Sequence, residues 1–448
     1  MDEIKETTRA DAFVAEEAKT FAPVGRIPYY NLVIDHAKGS QVVDVDGKIY
    51  TDLIASAAAV NVGHSHPKVV QAIQDQAAQL IHYTTAYFHQ GPAAELAAKL
   101  VEITPGDFPK KVAFGLSGSD ANDAIIKFSR AYTGRPWVIS FDNAYHGATY
   151  GSMTLTTVSD AASQSITPMV PDIAHIPYPD TAHTDETPAQ VTARCIQAVR
   201  DMFNTIPADQ IACILMEPIA GDAGIIVPPT DYVQQLVAIC KENDILFAVD
   251  EIQQGMGRSG KWFSIEHFGV APDMISLGKA LGSGMPVSAV VGRADIMDSL
   301  KAPAHTFTTA GNPVCCAAAL ATIDVIEEEH LVQRSHDMGA YVIDQFKQMQ
   351  QEFHAIGDVR GEGLNVGIEI VNPATGKPDT QAALKFVYRA FEKGLILITI
   401  AGNTIRFQPA LTISKAEIDS ALDTMRGVFH ELQVGAIADD IVDDAAGW

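Results

Sequence analysis

Residues 273–286 read DMISLGKALGSGMP, a short apolar run followed by Lys279 and a glycine-rich loop. The apolar run predicts a buried strand, and the loop places the lysine at its carboxyl end. A lysine in apolar or cation-rich surroundings shifts toward its neutral form and becomes a nucleophilic amine that can form a Schiff base with an aldehyde. The alternative is a lysine whose ammonium group simply extends into water. The surrounding sequence has to distinguish the two.

The same kind of apolar run recurs along the chain and alternates with segments of helical periodicity. The runs are KVAFGL (111–116), WVISFD (137–142), ACILMEP (212–218), ILFAVDE (245–251) and VSAVVGR (287–293). This alternation predicts an α/β fold with a mostly parallel sheet. We expect a large domain over residues 61–317 and a smaller α+β domain over 318–448, joined by the N-terminal segment 1–60. Within that segment, the Asp-Gly turn of QVVDVDGKIYTDL (41–53) predicts a hairpin.

Charge and composition narrow the classes of partner. The 448 residues carry a formal net charge of −24, which argues against binding to nucleic acid or to an anionic membrane surface. The five cysteines show no zinc-binding or disulfide spacing, so we expect reduced core thiols and no metal site. The N-terminus lacks a signal-peptide pattern and no run is long enough to span a membrane, so we expect a cytoplasmic protein. The C-terminal DDIVDDAAGW (439–448) predicts a solvated acidic tail.

In sheets of this class ligands bind beyond the carboxyl ends of the strands. After KVAFGL, the sequence SGSDAND opens a helix where Gly118 allows close backbone approach and Ser119 adds a hydroxyl, the features of a phosphate site. Simple N-capping by Ser117 or Ser119 explains the same residues. After WVISFD, Tyr145 lies in a loop where its ring could cover a planar ligand or pack in the core or an interface.

After ILFAV, Asp250 follows a fully apolar run. A buried carboxylate there either caps a turn or pairs with a cation, and a pyridinium N–H is one such cation. Gln253 could donate a hydrogen bond to a phenolic oxygen. A phosphate site, a ring cover, a carboxylate and an amine at separate strand ends together match the needs of pyridoxal 5′-phosphate (PLP), whereas GMGRSG (255–260) does not stand between a strand and a helix as a dinucleotide motif would.

At this point the chain resembles the class III aminotransferase family of PLP fold type I over nearly its whole length. The resemblance rests on SGSDANDAIIKFSR (117–130), AYHG (144–147), EPIAGDAG (217–224), DEIQQGMGRSG (250–260), SLGKALGSGMP (276–286), TTAGNP (308–313) and NTIRFQP (403–409). It implies a large PLP-binding domain and a smaller α+β domain. It also implies PLP as cofactor and a homodimer, or a dimer of dimers, whose active sites lie at the interface.

The resemblance assigns roles residue by residue. Lys279 carries the Schiff base, Asp250 pairs with the pyridine nitrogen and Gln253 faces the phenolic oxygen. Tyr145 covers the ring. The phosphate is held by Gly118 and Ser119, with Thr308 of the partner subunit completing that site. Thr309 replaces a family aromatic, so either threonine could make this contact.

Within the family, PYYNLVIDHAKG (28–39) and APAHTFTTAGNPVC (302–315) look very similar to a branch of amino-acid racemases and 2-epimerases. This resemblance implies a racemase or 2-epimerase that inverts Cα of aliphatic, branched-chain amino acids. Ala220 and Ala223 replace a Gln and a Gly of that branch at the floor of the substrate pocket, which leaves the side-chain preference open. The alternatives are a class III aminotransferase that moves an amino group to a 2-oxo acid and, more remotely, a non-catalytic PLP-binding subunit.

A racemase must return a proton to Cα on the face opposite its removal, so it needs a second acid or base besides the lysine. Asp222 in EPIAGDAG is the candidate, exchanging a proton with Cα directly or through water. Arg406 in NTIRFQP is the candidate for binding the substrate carboxylate, since a guanidinium binds it bidentately. The simpler interpretation of Asp222 is a salt bridge to Arg406.

Overall fold

The structure is a computed structural model that describes residues 8–27, 29–159 and 163–442. Its centre is a seven-stranded sheet in the order β4-β10-β9-β8-β7-β5-β6. The strands are β4 (Lys110–Gly115), β5 (Trp137–Phe141), β6 (Ile173–Ile176), β7 (Ile211–Met216), β8 (Leu246–Asp250), β9 (Met274–Leu277) and β10 (Ser288–Arg293).

The predicted α/β fold with a mostly parallel sheet is confirmed. The chain runs parallel through β9, β8, β7, β5 and β6, whereas β10 pairs antiparallel with both β4 and β9. All residues of β7 and β8 are buried, which explains why these strands read as continuous apolar runs. The carboxyl ends of the parallel strands therefore meet at one edge of the sheet. The sequence patterns missed β6, whose residues are mostly only half-buried.

Helices cover this sheet and the rest of the fold. They are α1 (Arg9–Glu17), α2 (Pro67–Gln79), α3 (Gly91–Ile103), α4 (Gly118–Thr133), α5 (Tyr150–Leu155), α6 (Pro188–Met202), α7 (Thr230–Glu242), α8 (Ala294–Met297), α9 (Pro313–Glu328), α10 (Leu331–Glu352), α11 (Thr380–Glu392) and α12 (Lys415–Gln433). Short 3₁₀ turns lie at Pro23–Gly25, Ala208–Gln210, Ser264–Phe268, Lys279–Gly282 and Asp439–Val442, and Ala55–Ala58 form a left-handed turn.

Two four-stranded sheets complete the structure. One has the order β1-β2-β3-β13 and the other β11-β12-β15-β14. Their strands are β1 (Ile34–Lys38), β2 (Gln41–Asp44), β3 (Ile49–Asp52), β11 (Ile356–Gly361), β12 (Val366–Ile370), β13 (Leu395–Ile396), β14 (Ile398–Ile400) and β15 (Thr404–Phe407). The predicted hairpin is confirmed, because β2 pairs antiparallel with β3 across the Asp-Gly turn.

The N-terminal segment joins the C-terminal part of the chain, because β13 pairs in parallel with β3. The domain boundaries at 60/61 and 317/318 stay predictions, and the second one falls within the continuous helix α9. All five cysteines are buried and none forms a disulfide.

No helix in the described residues has both the length and the apolarity needed to cross a membrane. The same residues contain no cluster of three or more His, Cys, Asp or Glu side chains suited to a metal ion. The predicted acidic tail is described only as far as Val442, and residues 443–448 lie outside the described part of the chain.

Candidate active site

Lys279 lies just beyond β9, where Gly278 separates it from the last strand residue and a 3₁₀ turn begins. Its backbone has a φ of 41°, a left-handed conformation that is costly for a residue with a Cβ. Burial lowers the pKa of its ammonium group, and the nearby charge of Arg406 acts in the same direction, while Asp222 opposes both. The lysine therefore meets the condition for a nucleophilic amine that its sequence context suggested.

A cavity of about 160 Å³ opens beside this lysine at the carboxyl edge of the sheet. It is lined by Gly118, Ser119, Tyr145, His146, Gly147, Glu217, Asp250, Ile252, Gln253 and Lys279. The structure thus brings together all the predicted ring-binding and phosphate-binding residues except Thr308.

Asp250 ends β8 and is fixed by three hydrogen bonds. Its Oδ2 accepts from Asn122 Nδ2 at 2.7 Å and pairs with His146 Nδ1 at 2.8 Å, and its Oδ1 accepts from the Ile252 N–H at 3.0 Å. Asn122 is itself held by Ser276, whose hydroxyl donates to its Oδ1 at 2.8 Å. A buried carboxylate with this many donors keeps a fixed direction in the cavity wall.

Asp222 lies in the loop after β7 and forms an ion pair with Arg406 of β15. Oδ1 of Asp222 accepts from Arg406 Nη2, and Gln253 Nε2 approaches the same oxygen at 3.5 Å. Both charged residues are almost completely buried. Burial opposes ionisation of Asp222, but the charges of Arg406 and Lys279 outweigh it and hold the pKa of this carboxyl below its ordinary value. The ion pair that sequence analysis left as the simpler interpretation is therefore formed.

The Nε–H group of Arg406 takes no part in the ion pair with Asp222. Its Nε is buried and has no hydrogen-bond partner within the described part of the chain. A buried N–H of a charged group without an acceptor is costly, so an arriving carboxylate would relieve that cost. The guanidinium is thus partly paired within the protein and partly available to an anionic ligand.

The amino end of α4 forms the opposite wall of the cavity. Ser117 caps this helix by accepting from the Asp120 N–H at 3.3 Å, which agrees with the capping interpretation for that serine. Ser119 does not cap the helix, and its Oγ accepts instead from the Ala148 N–H at 3.0 Å. A Cβ on Gly118 would approach Ile252 Cδ1 to 2.7 Å, so a larger residue there would require the Ile252 side chain to move.

Tyr145 and Glu217 meet in the cavity wall. The Tyr145 N–H donates to Glu217 Oε2 at 3.3 Å, and the Gly221 N–H donates to Oε1 at 3.3 Å. Burial raises the pKa of Glu217 to about 7, which makes this acid half-protonated near neutral pH. Burial also raises the pKa of the Tyr145 phenol.

Thr308 and Thr309 are exposed and lie away from this cavity. Thr308 lines a separate surface groove together with Thr85 and Tyr87, and the side chain of Tyr87 is 78% exposed. Within one chain, neither threonine reaches the residues around Lys279. Ala220 and Ala223 flank Asp222, and Ala220 exchanges two backbone hydrogen bonds with Ile226 that close the Asp222 loop.

Comparison with known proteins identifies the scaffold. The family profile described as "Aminotransferase class-III" matches residues 23–429. The chain belongs to the class III aminotransferase family. This confirms the family and the PLP fold type I that the motifs predicted.

The similar proteins include amino-acid racemases and epimerases as well as aminotransferases. The chain is 52% identical over 445 residues to isoleucine 2-epimerase of Lentilactobacillus buchneri, covering 98% of this chain and 99% of the relative. It is 42% identical over 444 residues to leucine/methionine racemase of Thermococcus litoralis, covering 98% and 100%. An amine transaminase of an uncultivated Pseudomonas species, solved in its PLP-bound form, superposes with a TM-score of 0.84 at 27% identity, covering 93% and 98%.

The residues around Lys279 fit the cofactor of class III aminotransferases. The cavity combines a desolvated lysine, a fixed carboxylate, an aromatic ring and a helix start where Gly118 leaves room beside Ile252. His146 Nε2 is buried without a hydrogen-bond partner among the described residues, which leaves an unused polar atom in the wall. PLP offers a partner for the lysine, the carboxylate, the aromatic ring and the helix start.

Sequence reasoning missed the residues that hold this class III site together. Asn122, His146 and Ser276 hold Asp250 in place, and they lie next to predicted site residues in SGSDAND, AYHG and SLGK. Glu217 is the first residue of EPIAGDAG, the motif that contains Asp222, and it accepts from the Tyr145 N–H. The available signal for these residues was that each is a polar residue close in sequence to a predicted ligand-binding residue. The local sequence did not indicate which of these polar residues contact each other in the fold.

Proposed function

We propose that this chain is a PLP-dependent amino-acid racemase or 2-epimerase that inverts Cα of aliphatic, branched-chain amino acids by a two-base route. The observation that carries the proposal is a pair of ionisable groups that influence each other's charge. Lys279 lines the cavity and has a lowered pKa, and the charge of Lys279 helps to lower the pKa of the buried Asp222. The names of the relatives in the racemase branch support the same reaction.

When bound, PLP supplies an aldehyde for an amine and a ring that accepts the electrons left at Cα. The proposed contacts of the protein with it follow the geometry of the cavity. Asp250 would pair with the ring nitrogen, Tyr145 would cover the ring, and Gly118 with Ser119 would hold the phosphate. Asn122 and His146 keep the Asp250 carboxylate in place, so they support its pairing with the ring nitrogen.

The substrate carboxylate would bind Arg406, whose buried Nε lacks an acceptor among the described residues. Lys279 Nζ would exchange a proton with the substrate Cα from one side and Asp222 would do so from the other. Ionised Asp222 is in the form that accepts a proton, as its lowered pKa requires at neutral pH.

Substrate binding would also change the basicity of Asp222. In the ion pair, the charge of Arg406 is the strongest influence that favours ionisation of this carboxyl. A substrate carboxylate on the same guanidinium would neutralise that charge and raise the pKa of Asp222. The second base would therefore become stronger at the moment when the substrate is in place.

An aliphatic cluster beside Arg406 supports the preference for branched side chains. Ile398 lies directly opposite Arg406 in the β14–β15 pairing, so the two side chains project from the same face of this sheet. Ile398 packs with Ile219, Ile225 and Ile400 in one buried cluster. A substrate held by its carboxylate at Arg406 would find aliphatic surface close by.

A second candidate is a class III aminotransferase. The ion pair between Asp222 and Arg406 favours it, because a carboxylate used only to neutralise the arginine needs no role at Cα. The solved structural neighbours, including the Pseudomonas enzyme, are transaminases.

One experiment separates the two reactions. Purified holoenzyme is incubated with one enantiomer of isoleucine in deuterated water without any 2-oxo acid, and chirality and α-deuterium are followed. A racemase produces the Cα epimer with deuterium at Cα. Untouched chirality, together with fast amino transfer once a 2-oxo acid is added, would assign the chain to the aminotransferases.

We also propose a cytoplasmic homodimer, with Thr308 of one subunit completing the phosphate site of the other. The exposed apolar side chains of Ile81, Tyr83, Tyr87 and Phe88 lie near the Thr308 groove and would be covered in such a dimer. Mass measurement in solution at assay concentration tests this, since an active monomer would contradict it. Thr308→Val and Thr309→Val, compared for PLP affinity, would identify the threonine in contact.

A further inference from the structure

Four buried amide side chains form a closed ring behind the candidate active site. Gln253 Oε1 accepts from Gln254 Nε2 at 3.2 Å, and Gln254 Oε1 accepts from Asn365 Nδ2 at 2.5 Å. Asn365 Oδ1 accepts from Gln408 Nε2, which also donates to Gln253 Oε1 at 3.4 Å. All four residues are at most 7% exposed. The oxygens of Gln253, Gln254 and Asn365 therefore each face a donor, whereas Gln408 Oε1 is buried without a hydrogen-bond partner among the described residues.

The ring determines which end of the Gln253 amide faces the site. Its oxygen is engaged by two NH₂ groups, so its own NH₂ must point away from the ring, and Nε2 lies 3.5 Å from Asp222 Oδ1. A reversed amide would place its NH₂ against the two donor groups and its oxygen against the Asp222 carboxylate. Both contacts would be repulsive in a buried environment.

Three separate parts of the chain supply the ring. Gln253 and Gln254 follow β8 of the seven-stranded sheet, whereas Asn365 precedes β12 and Gln408 follows β15. The sheet β11-β12-β15-β14, which carries Arg406, is therefore flanked by two residues that set the direction of the Gln253 side chain. Gln253 itself follows a strand of the seven-stranded sheet.

We propose that Gln254, Asn365 and Gln408 are positioning residues that hold the Gln253 amide with its NH₂ group toward Asp222 and toward the phenolic oxygen of bound PLP. This rests on the proposed function for the role of Asp222 and for the cofactor contact of Gln253. The ring acts through Gln253 alone and touches neither the cofactor nor the substrate in this scheme.

The test reverses the amide with one change in chemistry. Gln408→Glu puts an acceptor against Gln253 Oε1 and Asn365 Oδ1, which removes one of the two donors that hold the Gln253 amide. We expect the repulsion to favour an amide with its NH₂ toward the introduced carboxyl and its oxygen toward Asp222. Gln408→Met keeps the length of the side chain but removes its hydrogen bonds, and it covers the case that the Glu variant does not fold. The matched control is Asn403→Asp, an amide-to-carboxyl change at a buried residue that donates to the Ile370 carbonyl oxygen instead.

The primary readout is the visible absorption of PLP-loaded enzyme without substrate, titrated with pH. A lost donor at the phenolic oxygen should move the midpoint of this titration upward by about one pKa unit in Gln408→Glu, with a smaller upward shift in Gln408→Met. Asn403→Asp should leave the midpoint unchanged. The charged and titratable groups that face Asp222, namely Arg406, Lys279, Glu217 and Tyr145, are intact in every variant.

The second readout is racemisation. In Gln408→Glu the rate should fall about tenfold, mainly in kcat, because the substrate carboxylate still has Arg406. Unchanged midpoints in both Gln408 variants, with PLP bound, would overturn the positioning role. A parent enzyme that leaves chirality untouched would overturn the proposed function instead, and the absorption titration would still decide whether the ring orients Gln253.

Discussion

Oδ1 of Asp222 and Nη2 of Arg406 are hydrogen-bonded although the two residues are 184 positions apart in the sequence. The contact joins the loop after β7 of the seven-stranded sheet to β15 of the four-stranded sheet β11-β12-β15-β14. Removing one partner of a buried ion pair leaves the other charge uncompensated, so each residue is needed by its partner before any substrate arrives. A ligand that replaces one partner must bring a charge of the same sign, and an amino-acid carboxylate does so.

Replacing Asp222 by Asn tests the second base. The variant keeps the size and hydrogen bonding of the side chain but cannot take up a proton. We expect PLP to remain bound and exchange of the α-hydrogen to persist for the enantiomer that Lys279 serves. Interconversion should fall about a hundredfold or more. Chirality and deuterium incorporation are measured together for both enantiomers.

Asp231→Asn serves as the control, because Asp231 accepts from Thr192 at the start of α7, outside the cavity lining. An Asp222→Asn enzyme that racemises at the parental rate would remove Asp222 from the mechanism and leave it only its ion pair.

Lys279→Ala should abolish turnover while the cofactor still binds without a covalent link. The groups that would hold the phosphate and ring come from α4, from the loop at Tyr145 and from β8, so they do not depend on this lysine. Absorption spectroscopy and equilibrium dialysis of PLP measure the two effects separately. Removing the ammonium group also removes its charge repulsion with Arg406, so we expect the variant to fold. Activity at the parental level would show that another amine reacts.

Ile398→Ala tests the aliphatic surface next to Arg406. We expect kcat/KM for isoleucine to fall about tenfold or more, while kcat/KM for alanine changes little, since pockets discriminate methylene groups by such factors. Ile405→Ala is the matched control. Ile405 is fully buried on the opposite face of β15, so its loss should affect both substrates alike. Equal losses for both substrates in the Ile398 variant would exclude that residue from the side-chain pocket.

His183 connects the two sheets near the Asp222 loop. Its Nδ1 pairs with Asp180 at 2.6 Å, and its Nε2 pairs with Glu369 of β12 at 3.0 Å. These two carboxylates raise the pKa of His183 to about 9. Arg360 completes the connection by pairing with Glu369 and donating to the Gly224 carbonyl oxygen at 2.9 Å.

The charged form of His183 is favoured by folding, so its stabilisation is complete below pH 6.5 and is lost as the pH rises through 9. We expect His183→Gln to be less heat-stable than the parent at pH 6.5, with a difference that shrinks as the pH rises through 9. For a chain of this size the difference should be roughly 1–2 °C in Tm. Thermal unfolding followed by circular dichroism at pH 6.5, 8 and 9.5 measures it. A constant difference across this range would mean that packing, not charge, holds the contact.

Much of the fold was predictable because buried parallel strands leave continuous apolar runs, as in β7 and β8. The same logic found Asp250 and Lys279, since each directly follows such a run. Strand β6, at the edge of the sheet, was not predicted because His175 interrupts its apolar pattern and three of its four residues are only half-buried.

The residues that hold Asp250 and Gln253 in place were not predictable in the same way. His146 meets Asp250 across 104 positions and Asn122 meets it across 128, and no local pattern encodes such pairings. The amide ring is a clearer case, because Asn365 and Gln408 look like ordinary polar residues beside two strands. They reach Gln253 because the sheet β11-β12-β15-β14 packs near the end of β8 in the seven-stranded sheet.

Strand β15 is four residues long and divides its side chains between two different tasks. Thr404 and Arg406 project from one face, where Arg406 meets Asp222, whereas Ile405 and Phe407 project from the other and are fully buried. One residue inserted into or deleted from the turn Ala401–Asn403 would exchange these faces. The guanidinium would then enter the apolar interior and a phenyl ring would face the carboxylate. Substitutions around this pocket change one side chain at a time, whereas a change in the length of that turn would move Arg406 away from Asp222 in one step.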